Sequence, residues 1–171
     1  MYMIALQTTR VNLIPLTEAD KTLFIELYTS DKLMRKIADT FSVPDAIKLF
    51  EKTLLLTQQP KPTVMRWVIK HKESGESLGI VGFSGITYPD QADLGIILRR
   101  EAHGKGIVVD IGNVLCDYVL TQVAISRVRA EFHHENLITQ KITRKMGFGE
   151  VTPHPCKKDY LECYLTDPKL G

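Results

Sequence analysis

Two glycines that flank a lysine form the most distinctive stretch of this 171-residue chain, HGKGIV over 103–108. An apolar strand is predicted before it, and a long apolar-periodic helix after it. The first backbone N–H groups of a helix have no intrahelical partner and carry the positive end of the helix dipole. Glycine lets the backbone bend and lets an anion approach those N–H groups. The stretch therefore predicts a phosphate or diphosphate site, to which Lys105 adds a positive charge.

Two familiar nucleotide motifs do not fit this stretch. It contains no GKS or GKT, so no hydroxyl is set to hold Mg²⁺ as in a Walker loop. It also lacks the three glycines of the dinucleotide motif, and the strand before it belongs to a meander rather than a βαβ unit. A tight turn that merely begins a helix is an equally good interpretation of the glycines taken alone.

A second group of polar residues follows about thirty residues later, in EFHHENLITQKITRKMGF over 131–148. Strand alternation places Glu131 and His133 on the same face of a predicted strand, so both acid–base groups point in one direction. An exposed Glu131 paired with Arg129 or a lysine is an alternative, and so is a solvated strand end that carries His133.

The elements that position these residues are read from periodicity and from turn residues. Strands are predicted over 10–16, 64–71, 78–86, 92–99, 126–133 and 159–166. Helices are predicted after Thr17, from about Ser30 to Ile37, and over 44–57, 104–121 and 136–146. The order β, αα, α, βββ, α, β, α, β predicts an α/β (α+β) fold, with a mixed sheet and helices on both faces.

Composition indicates one ordinary globular domain over 1–171, with 44% hydrophobic and 25% charged residues. A formal net charge of +2 is too small to favour nucleic acid or a membrane as partner. The N-terminus lacks the pattern of a signal peptide, and the three cysteines are an odd number, so a reducing cytoplasm is expected. The spacing of the cysteines and histidines matches no metal motif, so no metal is expected.

The two motifs together resemble the Gcn5-related N-acetyltransferase (GNAT) superfamily, and in particular its ribosomal-protein N-terminal acetyltransferases. In that branch a strand like 94-LGIIL-98 leads to a glycine turn like 104-GKG-106. A later strand leads to Asn-x-x-Ser/Thr, here Asn136 and Thr139, and then to a Lys-x-Gly-Phe ending. The opening RVNLIPLTEAD is also similar, so the resemblance covers residues 10–166.

The resemblance implies a mixed, mostly antiparallel sheet in which two parallel neighbours splay apart and bind acetyl-CoA in the gap. Backbone groups of the first strand would pair with the pantetheine arm, and a helix start would hold the diphosphate. Asn136 would contact the cosubstrate from the second strand. Valine at position 108, where the family often has glycine or alanine, is a departure from the pattern. The residues implied for the cosubstrate are Ile96, Ile97, Leu98, Gly104, Lys105, Gly106, Ile107, Val108, Val109 and Asn136.

The resemblance also implies direct attack of an amine on the thioester. Glu131 stands where some members have a general base, and His133 is a weaker alternative. The branch uses the hydroxyl three residues after the asparagine, here Thr139, to assist the departing sulfur, although a threonine in a first helical turn also bonds local backbone. Position 143, where part of the family has a tyrosine, is a threonine.

The expected activity is acetyl transfer from acetyl-CoA to a primary amine, either a small molecule or a protein N-terminus. A non-catalytic acyl-CoA-binding sensor or interaction module of the same fold is the alternative, favoured by Val108 and by the missing tyrosine. A homodimer is compatible with the resemblance, and the residues do not decide it.

Overall fold

The computed structural model describes residues 3–167, in which eight strands form one sheet and five α-helices pack against it. The strands are Leu6–Gln7 (β1), Val11–Pro15 (β2), Met65–His71 (β3), Ser77–Thr87 (β4), Gln91–Leu98 (β5), Arg127–His133 (β6), Thr152–Pro153 (β7) and Tyr160–Thr166 (β8). The α-helices are Lys21–Tyr28 (α1), Asp31–Met34 (α2), Val43–Thr57 (α3), Ile107–Thr121 (α4) and Leu137–Lys145 (α5).

The sheet has the order β1-β2-β3-β4-β5-β6-β8-β7, and its neighbours are antiparallel except for β5 and β6. These two strands are parallel and pair only over Gln91–Asp93 and Arg127–Arg129. Beyond that point β5 continues to Leu98 and β6 to His133 without pairing with each other. The predicted splayed parallel pair is therefore present.

An ion pair marks the point where the pairing of β5 with β6 ends. Arg129 Nε and Nη2 donate to the two carboxylate oxygens of Asp93, each at 2.8 Å. Hydrogen bonding to Asp93 is the main cause that raises the pKa of Arg129. A bidentate guanidinium–carboxylate pair fixes both distance and orientation, so it ties the two strands together at the closed end of the gap.

Helices cover both faces of the sheet, as the element order predicts. On one face, α1 and α3 place Phe24 and Phe50 in a core with Ile80 of β4 and Ile97 of β5. On the other face, α4 packs on the sheet through a second core. That core includes Trp67, Val81, Ile111, Leu115, Val119, Val128, Phe132 and Cys163.

Most predicted boundaries lie within two residues of the observed ones, with three differences. Helix α4 begins at Ile107 rather than at 104, because Gly104 and Gly106 have φ of 73° and 70° and so cannot be helical. Helix α2 ends at Met34, before the predicted end near Ile37. Strands β1 and β7 were not predicted, since two residues carry no periodicity.

The close approach of β4 to β3 depends on glycine at position 82. A Cβ built there would overlap the carbonyl oxygen of Met65, which belongs to the backbone and cannot move aside. Gly82 pairs with Gly95 of β5, and a Cβ built at Gly95 would have open space around it.

We therefore expect Gly82→Ala to lower the free energy of unfolding by about 3 kcal/mol, the upper range of overpacking. The matched substitution Gly95→Ala should change it by less than about 1 kcal/mol, because alanine suits a strand at least as well as glycine. Urea denaturation of both variants measures this difference. Equal stabilities would contradict the register between β3 and β4.

Candidate active site

A cavity occupies the gap between the diverging parts of β5 and β6. Its walls are largely apolar with a few polar side chains, which is the usual composition of a small-molecule site. Strand β5 contributes Leu94, Gly95 and Ile96, β6 contributes Ala130, Glu131 and Phe132, α4 contributes Val108, Ile111 and Gly112, and α5 contributes Thr139, Ile142 and Thr143; Lys36, Ile37, Val81, Asn136, Met146 and Tyr160 complete the lining.

The backbone groups of β5 that face this gap follow from its register with β4. The backbone N–H of Arg99 donates to the carbonyl of Leu78 at 2.8 Å, so the backbone groups of Arg99 face β4. Hydrogen-bonded and non-hydrogen-bonded pairs alternate along antiparallel strands. The backbone N–H and C=O of Ile97 therefore also face β4, while those of Ile96 and Leu98 face the gap. The backbone groups of Ile97 therefore serve the pairing with Ile80, and of the three β5 residues expected to contact a ligand, Ile96 and Leu98 are the two whose backbone faces the gap.

The glycine turn comes shortly after the unpaired end of β5 and leads directly into α4, whose Val108 lines the cavity. Gly106 is the N-cap residue, and its left-handed φ of 70° turns the chain into the helix. The side chain of Ile107 is buried in the core, and Val108 and Val109 pack partly against it. These residues therefore offer an approaching anion their N–H groups rather than their side chains.

Arg10 closes the glycine turn from a distant part of the sequence. Its Nη1 donates to the carbonyl of Lys105 at 2.6 Å, and its Nη2 lies 3.5 Å from Asp110 Oδ2. The guanidinium thus fixes the turn and neutralises a carboxylate in the first turn of α4. Sequence reasoning missed Arg10, because 95 positions separate it from Lys105 and no spacing links them.

His103 holds the other side of the same turn. Its Nε2 lies 3.0 Å from the carbonyl oxygen of Leu98, an acceptor, so the ring donates from this nitrogen. His103 thus occupies the carbonyl of Leu98, and the gap-facing N–H of Leu98 remains for other partners.

Asn136 caps α5 at the edge of the cavity. Its side-chain oxygen accepts from the backbone N–H of Thr139 at 3.2 Å, so the amide NH₂ group is the part that remains for a ligand. Thr139 also lines the cavity, and across residues 3–167 its hydroxyl has no hydrogen-bond partner. The local backbone bond considered for Thr139 is instead made by Thr143, whose hydroxyl donates to the carbonyl of Gln140 at 3.0 Å.

Glu131 projects from β6 into a group of nitrogen donors. Its carboxylate accepts from Lys157 Nζ at 2.5 Å and lies 3.0 Å from His154 Nε2 and 3.9 Å from Arg129 Nη2. The side chain is 19% exposed and also lines the cavity. Glu131 therefore pairs with a lysine, as one interpretation expects, and it also lines the cavity, as the general base of the other interpretation must.

The ring of His154 lies beside the carboxylate of Glu131. Its Nδ1 accepts from the backbone N–H groups of Cys156 and Lys157, both at 3.0 Å, which leaves Nε2 as the nitrogen that carries a proton. Nε2 lies 3.0 Å from Glu131 Oε2 and 3.9 Å from Glu162 Oε2. The ring is buried, with 7% of the side chain exposed. Neither His154 nor Lys157 was predicted, since both lie in the irregular loop between β7 and β8.

His133 lies outside the main cavity, on the same face of β6 as Glu131. It lines an adjoining depression together with Arg35, Lys36, Glu135, Asn136 and Tyr160. Its ring packs edge-on against Tyr160, with centroids 5.5 Å apart. Glu131 is thus the acid–base group of the predicted pair that reaches the gap between the strands.

The remaining candidate groups are not arranged for chemistry. Cys116 and Cys163 are buried, and burial raises the pKa of the Cys116 thiol to about 12. Within residues 3–167, no three His, Cys, Asp or Glu side chains come together in a way that would hold a metal ion. None of the helices in this range is long and apolar enough to span a bilayer.

Comparison with known proteins identifies the family that this chain matches. Residues 10–149 match the model of the acetyltransferase (GNAT) domain. An uncharacterised N-acetyltransferase of Bacillus subtilis, YjdG, is 32% identical over 85 residues, which cover 48% of this chain and 49% of YjdG. The chain thus aligns with about half the length of that relative.

Two solved structures share the fold over nearly the whole chain. RimL, a ribosomal L7/L12 α-N-protein acetyltransferase in complex with coenzyme A, superposes with a TM-score of 0.81 at 17% identity, covering 95% of this chain and 98% of RimL. Spermidine N-acetyltransferase from Vibrio cholerae, in complex with CoA and spermine, gives 0.78 at 19% identity, covering 93% and 96%. With its splayed strand pair, its glycine turn and the match to the family model, the chain belongs to the GNAT family of acetyltransferases.

Proposed function

We propose that this protein transfers an acetyl group from acetyl-CoA to a primary amine by direct attack within a ternary complex. One observation carries the proposal: the cavity between β5 and β6 is lined both by Val108, in the first turn of the helix that follows the glycine turn, and by a carboxylate, Glu131. RimL and the spermidine enzyme, which share the fold, act on a protein N-terminus and a polyamine respectively, and both were solved with coenzyme A.

The pantetheine arm fits the gap because it contains amide groups. The backbone N–H and C=O of Ile96, with the N–H of Leu98, face the gap and are not used by β4. Buried backbone groups need hydrogen-bond partners, and a short amide chain supplies them. The amide NH₂ of Asn136 is a further donor on the opposite wall.

The glycine turn is the site for the diphosphate. The N–H groups of Ile107, Val108 and Val109 begin α4, where the helix dipole favours negative charge. Lys105 adds a side-chain ammonium, and its carbonyl is held by Arg10. Valine at 108 retains the N–H on which this binding depends, so the departure from the family pattern does not remove the site.

Glu131 is the proposed proton acceptor for the attacking amine, since it is the carboxylate on the cavity wall. His154 Nε2 lies 3.0 Å from one carboxylate oxygen, which leaves the second oxygen to Lys157 or to an incoming amine. The Thr139 hydroxyl, on the opposite wall, is the proposed hydrogen-bond donor to the departing sulfur. No covalent enzyme intermediate is needed, because the amine attacks the thioester directly.

We expect Glu131→Gln to lower kcat about 100-fold, within the range of general base catalysis, while the Kd of acetyl-CoA changes less than about twofold. Thiol release with a panel of amines, including peptides with different first residues, measures kcat, and calorimetry measures Kd. Glu135→Gln is the control, since Glu135 is exposed and lies outside the main cavity.

Turnover of Glu131→Gln at the wild-type rate would remove Glu131 from the mechanism. Binding of acetyl-CoA with no turnover by the wild type would identify a non-catalytic module.

A charge placed on the glycine turn tests the diphosphate site. Gly106→Gln and Gly106→Glu introduce side chains of similar size at the same left-handed φ, so backbone strain is common to both. The negative charge should weaken acetyl-CoA binding about tenfold more than the neutral side chain does, and added salt should reduce the difference. Calorimetry at two ionic strengths measures this. Equal affinities of the two variants would place the diphosphate elsewhere.

A further inference from the structure

The side chain in closest contact with Glu131 is itself a primary amine. Lys157 Nζ donates to Glu131 Oε1 at 2.5 Å, and the Lys157 side chain is 54% exposed. Its backbone N–H donates to Nδ1 of the buried His154, which in turn faces the other oxygen of Glu131. The loop that carries Lys157 is therefore anchored at the carboxylate that lines the cavity.

The contact between Lys157 and Glu131 resembles the contact that an acceptor amine would make with the proposed base. A primary ammonium group on the proposed base is what an external amine would present before its attack. A group held in reach of the reacting atoms reacts far faster than the same group in free solution. Lys158, the next residue, makes no such contact with Glu131 and is exposed.

We propose that Lys157 is an acetylation site of this protein, modified intramolecularly at its own active site. The inference rests on the proposed acetyl-CoA-dependent activity. The ε-ammonium loses a proton through Glu131 to solvent, and the free amine then attacks the thioester carbonyl carbon. A C–N bond forms and the C–S bond breaks. Coenzyme A leaves as the thiol, taking up one of the protons that the amine has lost.

The modification changes the charge around the site. Acetylation removes the positive charge of Lys157 and with it the ion pair to Glu131. The carboxylate is then left with His154 and the more distant Arg129, so the modification frees one oxygen for an external acceptor.

The experiment incubates the full chain with acetyl-CoA without an added amine and follows the site and extent of acetylation by peptide mass spectrometry. We expect Lys157 to be modified with a rate constant that does not depend on protein concentration, as an intramolecular reaction requires. Glu131→Gln should slow the modification at least tenfold. Lys157→Arg should remove it while retaining the positive charge, and Lys158→Arg should leave it unchanged.

Two results would overturn the inference. Equal modification of Lys157 and Lys158, unaffected by Glu131→Gln, would indicate uncatalysed acetylation of exposed lysines. An unmodified Lys157, with or without modification of the cavity-lining Lys36, would show that Lys157 is not an acceptor.

Thiol release with the external amine panel, measured in parallel, separates the two proposals. Turnover of external amines by a protein whose Lys157 stays unmodified overturns this inference and leaves the proposed function standing. Absence of both reactions in a protein that binds acetyl-CoA overturns both proposals.

Discussion

The site depends on the point where β5 and β6 stop pairing. β5 is held by β4 along its whole length, and β6 is held by β8, so each strand has one committed edge. Three residue pairs and the bidentate Asp93–Arg129 ion pair join the two half-sheets at one end only. The facing edges that remain carry backbone groups that need partners. A sheet built in this way has a cavity as part of its architecture, rather than one formed by an added loop.

The two faces of β6 serve different purposes, and alternation separates them. Val128, Ala130 and Phe132 enter the core beneath α4, while Arg129 and Glu131 face the opposite side. On that side the core of α1 and α3 reaches Val68, Ile80 and Ile97, which belong to β3, β4 and β5. The face of β6 that carries Arg129 and Glu131 is therefore not part of that core. A molecule that approaches Glu131 from this side meets charged side chains.

Sequence reasoning succeeded where the determinant was local. The glycine turn, the Asn136 cap and the strand alternation at Glu131 each depend on residues within a few positions of one another. It did not reach features that strand register or a distant contact decides. The orientation of Ile97 follows from its pairing with β4, and Arg10 reaches the turn from the other end of the domain. His154 and Lys157 lie in a loop without periodicity, so no pattern marks them.

The contacts of Glu131 reconcile the two interpretations of that residue. A base must be oriented, yet one of its oxygens must be available to the amine. His154 restricts the movement of Glu131, because it is buried, its Nδ1 accepts from two backbone N–H groups and its Nε2 lies 3.0 Å from one carboxylate oxygen. Lys157 is more than half exposed and contacts only one oxygen of Glu131, so an acceptor ammonium can replace it there. The same carboxylate is thus paired in the free protein and has one oxygen within reach of an arriving amine, as the proposed role of proton acceptor requires.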